Sequence, residues 1–224
     1  MKNFKTTIFV FLLLFIQNLN AQTEVKGPKE FFTILFDTFV KNDPISLKNL
    51  NDYSGQFMDE ENIYVVDNES KDDYLKGFLD AFPENTVTEC KKEAEEFFNA
   101  INENFKNGKL NIKSIKHVKN ERADMTTVEI IYSVKFKVPS RLSDFEFEDP
   151  ESIKPDRLKN FLIQAIKELK NADKIVTTED EETILYQREK EGKTFYFSLS
   201  GDRIVSELQR FYFYSLGKES FIYQ

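Results

Sequence analysis

The chain predicts an α+β domain in which N-terminal helices pack on a curved antiparallel β-meander. Three observations carry that prediction. Apolar residues recur at helical spacing from Phe31 to Phe105. Val128, Ile130, Tyr132, Val134, Phe136 and Val138 alternate with mostly polar neighbours, and two further β patterns flank Glu191 and Gly192. Helices thus precede strands, an order that suits a sheet covered by helices better than a parallel βαβ fold.

The start of the chain reads as an export signal. Lys2 and Lys5 precede an unbroken apolar run from Ile8 to Ile16, which is too short to span a bilayer. Ala21 offers a cleavage point, although Leu19 departs from the small residue preferred three positions before the cut. Residues 1–21 are therefore read as a signal peptide and 22–224 as one mature domain, long enough for a substantial core.

Pro28 opens a helix whose apolar face is Phe31, Phe32, Leu35, Phe36, Phe39 and Val40. Asn42, Asp43 and Pro44 end it, and Ile45, Leu47 and Leu50 mark a short second helix before Gly55. Ile63–Val66 reads as a short strand. Ser70, Asp72 and Asp73 open a helix carrying Tyr74, Leu75, Phe78, Leu79 and Phe82 until Pro83. Thr86 and Glu89 have capping-box spacing for the next one, whose face is Ala94, Phe97, Phe98, Ile101 and Phe105.

Beyond Asn107 and Gly108 the period changes to two. Leu110–Val118 pairs with the Val128–Val138 strand across a polar turn at 120–124. Residues 139–182 read as an insertion carrying an acidic loop and one helix, the latter running from Pro155 through Leu158, Leu162, Ala165 and Leu169. Ile184–Arg188 and Thr194–Leu199 form a hairpin, and Ser200–Asp202 turns the chain into a last strand from Arg203 to Tyr214. In that strand Phe211 and Phe213 face one way, Tyr212 and Tyr214 the other. This element order resembles the cone-shaped nuclear transport factor 2-like superfamily and related α+β rolls, with a helical insertion added. The resemblance implies a curved sheet wrapped on helices and brings no functional residues with it.

Composition excludes several chemistries. The formal charge is −8, and removal of Lys2 and Lys5 with the leader takes it to −10, a surface that repels nucleic acid and anionic lipid. Cys90 is the one cysteine and reads as a buried structural thiol without a disulfide. His117 is the one histidine, so neither a Ser-His-acid triad nor an ordinary zinc site is supported. Ser215 and Lys218 have a spacing used by some penicillin-binding enzymes, without the companion motifs. The seven glycines are scattered, so no phosphate loop or dinucleotide loop is present and no cofactor is implied. Asp144, Glu146 and Glu148 alternate with Phe145 and Phe147, a solvated acidic loop without the glycine that orders a calcium hand.

What remains is the aromatic end. Tyr212 and Tyr214 are the candidate ligand-binding residues, on the premise that their face of the strand lines a concavity. The sequence thus points to an exported, soluble, non-catalytic binding or accessory protein of the bacterial cell envelope, periplasmic or secreted. Its partner would be a small molecule or an envelope protein. It has no membrane segment once the leader is removed. The alternative is an exported hydrolase using a pair of its 39 acidic residues.

Overall fold

The alternation along the central strand becomes packing in the computed structural model, which describes residues 25–58, 62–66, 76–120, 125–142 and 149–217. Strand β2 (Met125–Val138) pairs antiparallel with β1 (Lys109–Asn120) on one side. On its other side lie β3 (Lys174–Thr177) and β4 (Glu181–Lys190), and β5 (Lys193–Phe197) completes the five-stranded antiparallel sheet beside β4. Every even position of β2 from Val128 to Val138 is at most 1% exposed, whereas Lys135 and Lys137 on the opposite face are exposed. One face of the sheet is therefore the floor of the core. The chain is an α+β fold, as its period changes predict.

Helices α1 (Pro28–Phe39), α2 (Pro44–Ser54), α3 (Glu84–Lys106), α4 (Pro155–Lys170) and α5 (Gly201–Ser215) supply the covering layer. On α1 the helical stripe buries Phe31, Phe32, Leu35 and Phe36, and the Phe32 ring meets Tyr132 of β2 at 5.0 Å. A left-handed Asn42 turns the chain, and the Asp43 carboxylate accepts the Ile45 and Ser46 amides to start α2. Those bonds, led by the one from the Ser46 hydroxyl, hold the Asp43 carboxyl below its ordinary pKa. On α3, Phe105 stacks on Phe136 at 5.4 Å. Gly108, just past that helix, is required by close approach, since a Cβ there would lie 2.6 Å from the Phe136 ring. Helix α4 packs along α3, with Asn104 donating to the Leu169 carbonyl and the buried Cys90 thiol to that of Pro155.

The two edges of the sheet are finished differently. At β5, the Tyr196 amide donates to the Tyr53 hydroxyl at 2.9 Å and the Ser198 amide to the Tyr64 hydroxyl at 3.3 Å. Burial pushes the Tyr53 hydroxyl up to about 12, so it remains neutral. Phe57 stacks on Phe195 at 4.7 Å beside these bonds, closing that edge with rings. At β1 no other described strand pairs with the outer edge. Between β4 and β5, Glu191 and Gly192 both have positive φ, the two-residue turn whose twist suits a hairpin.

Four sequence expectations change. The run from Arg203 to Tyr214 is helix α5 rather than a strand, because Ile204, Leu208 and Tyr212 bury a face at four-residue spacing and Arg203 pairs with Glu207 one turn on. Four alternating aromatics at its end are too few to set the period. Ile63–Val66 is not a strand; its extended backbone is held by Asn51, whose amide exchanges two 2.9 Å bonds with Tyr64. Helix α3 begins at Glu84, so Thr86 is no cap, and its buried hydroxyl instead donates to the Ile153 carbonyl. Within 139–182, the helix is α4, and β3 follows it into the sheet. The leader, the turn at 121–124, Ser70–Leu75 and the Asp144–Glu148 acids lie outside the described residues.

Candidate functional site

An open groove of about 610 Å³ lies between α1 and the start of β1. Its α1 wall is a stripe at helical spacing, Lys29, Thr33, Asp37 and Lys41, the polar face left when the phenylalanines turn inward. The facing wall runs from Lys106 at the end of α3 through Gly108 and Lys109 into β1. Partly buried Leu110 and Ile112 contribute apolar surface. The close approach of Gly108 to Phe136 sets where this wall stands.

The electrostatics of the groove oppose those of the chain. The only acid among the lining residues, Asp37, is tied to Lys41 by a 2.6 Å ion pair. Among the described residues no ion pair involves Lys29, Lys106 or Lys109. Directly across the sheet, Lys109 is in register with Lys135, a like-charge pair that costs rather than contributes. Ammonium groups around an apolar strip suit a ligand with several anionic groups and some apolar body.

The sequence-derived candidates are not brought together. Tyr212 is 0% exposed, its ring 5.4 Å from Phe136 and 5.8 Å from Phe105, while Tyr214 is 63% exposed on the outside of α5. The reason is the helix: residues two apart lie about 200° around its axis. Tyr212 does line a cavity between α3 and α5, but at about 20 Å³ it has room for one water and is too small for a ligand. His117 is exposed on β1, and the Ser215 hydroxyl donates to the Phe211 carbonyl one turn back. Among the described residues no cluster of three metal-ligating side chains occurs.

A carboxylate pair does approach the hydrolase alternative. Glu181 opens β4 opposite Tyr132; burial first, and Glu207 of α5 second, raise its carboxyl above the ordinary value. Tyr132 and Thr183 on the same face keep buried hydroxyls without a hydrogen-bond partner. Arg210 offsets the charge of Glu181, and Arg203 lies 3.5 Å from Glu207, so each acid already has a cationic neighbour.

The groove was partly readable: the α1 stripe and the acid-free lysines of β1 are plain in the sequence, and their adjacency is not. The split of the tyrosines gives a direct prediction. Tyr212→Ser should destabilise the fold by about 3–5 kcal/mol, as for a buried ring, and Tyr214→Ser by less than about 0.5 kcal/mol. Denaturant melts of the two variants check this; equal losses would place both rings in the core.

No family model, curated protein or solved structure matches the chain.

Proposed function

We propose that the protein is an exported, non-catalytic binding or accessory domain of the bacterial cell envelope that holds an anionic partner in the groove between α1 and β1. The observation that carries this reading is a lysine-lined concavity, with its one aspartate already paired, in a chain of net charge −8. Lys29, Lys106 and Lys109 make no ion pair among the described residues. Those gathered here face open space beside apolar side chains, where an anion gains from several ammonium groups at once. Export is supported by the basic start, apolar run and Ala21 in the order a leader requires.

Inorganic triphosphate is a suitable first probe, because it presents several charges in a small volume. It should shift the amides of Lys109 to Ile112 and of Lys29 to Lys41 saturably. Lys29→Gln with Lys109→Gln should weaken binding about tenfold or more, and raising salt from 0.1 to 1 M, where the screening length falls from about 10 to about 3 Å, should abolish it. Shifts spread over the surface, or unchanged in the double variant, would remove the groove as a binding site. For export, the native protein should have the mass of a chain starting at Gln22; an intact Met1 on a cytoplasmic species would defeat that part.

A further inference from the structure

We propose that the groove is the entrance to a peptide-binding edge, and that an acidic segment of a partner protein docks there in extended form, adding a strand to the outer side of β1. This rests on the anion-binding reading of the groove and gives the anion a chemical class. β1 is twelve residues long and pairs on one side with β2; among the described residues no strand takes the other side. An unpaired edge of that length offers about 40 Å of backbone donors and acceptors at 3.4 Å per residue. At the opposite edge the outward amides of Tyr196 in β5 and of Ser198 just beyond it are bonded to the Tyr53 and Tyr64 hydroxyls, so the two edges of the sheet differ.

Charge then selects the occupant. Lys109, Lys113, Lys116 and Lys119 recur along β1 every three or four residues, about 10–14 Å apart, and the strand contains no acid. Lys113 reaches Asp180 across the sheet and Lys116 is in register with Glu129, whereas Lys109 faces the like charge of Lys135 and Lys119 stands opposite Thr126. Lysines on an edge strand also guard against aggregation, and here they do so selectively. A second copy of this chain would bring the same lysines to the same edge and be repelled. A strand carrying Asp or Glu would relieve the Lys109–Lys135 repulsion and supply main-chain bonds at once, the way edge-strand recognition gains affinity from backbone and specificity from side chains. Leu110 and Ile112, partly buried where the strand meets the groove, offer apolar contact to alternate side chains.

The test uses the purified protein and two synthetic peptides of about ten residues. One alternates Glu with Val. The other keeps every Glu and replaces alternate Val by Pro, which removes main-chain donors without changing charge. The first should bind and shift β1 amides from Lys109 to Lys119, and the proline peptide should bind about tenfold or more weakly. Lys116→Gln with Lys119→Gln, both outside the groove, should weaken the Glu-Val peptide similarly while leaving triphosphate binding unchanged. Equal binding of both peptides overturns strand addition and leaves the anion groove standing. A single-stranded oligonucleotide bound in preference to the Glu-Val peptide overturns the peptide class. If neither peptide nor triphosphate shifts Lys109 to Ile112, the groove reading falls with it.

Discussion

The inner face of β2 is the constraint on which the remaining structure depends. Val128, Ile130, Tyr132, Val134, Phe136 and Val138 leave water together, each contributing about 1.5–3 kcal/mol of gross burial, and all the layers meet there. α1 reaches it through Phe32 on Tyr132, α3 through Phe105 on Phe136, and α5 through Tyr212 on Phe136. A one-residue slip of β2 would turn this stripe to solvent and bring Lys135 and Lys137 inward, so the register of β1, β3 and β4 is set with it. Gly108 and Gly201 show how tightly the layers close: added Cβ atoms would lie 2.6 Å from the Phe136 and Phe39 rings.

That central register leaves two edges with different fates. At the β5 edge, Tyr53 near the end of α2 and Tyr64 beyond it spend their hydroxyls on the Tyr196 and Ser198 amides, and Phe57 covers Phe195. Nothing comparable meets β1 among the described residues, and its protection is electrostatic. The same lysines continue into the groove beside α1, so the open edge and the basic concavity form one continuous surface. In the proposed reading the partner is held where the sheet ends; the cavity between α3 and α5 has room for about one water.

How much of this was legible depends on the length of each pattern. Alternation from Val128 to Val138 is long enough to admit a single period, and the α1 and α4 stripes likewise fix their faces. The stretch Phe211 to Tyr214 is not, because four alternating aromatics are compatible with either period. Ile204, Leu208 and Tyr212, spaced by four, decide for a helix. The misplaced period carried the candidate site with it, pairing Tyr212 with Tyr214 on a face that does not exist. Thr86 failed for a different reason: its partner is the Ile153 carbonyl, far along the chain, which no local motif reveals. The groove was hidden in the same way, since its two walls, at 29–41 and 106–112, become neighbours only when α1 docks on the sheet.

Amide hydrogen exchange of the protein alone tests the central claim most directly, because it reads each edge residue by residue. The account predicts slow exchange at Tyr196 and Ser198, whose amides are bonded to tyrosine hydroxyls at the β5 edge. Along β1, on either side of the register shift between Ile112 and Ser114, it predicts a two-residue alternation, with amides bonded to β2 slow and the outward ones about a hundredfold or more faster. Uniformly slow exchange along β1 would mean that its outer edge is already occupied, and would contradict the picture of one sealed and one open edge.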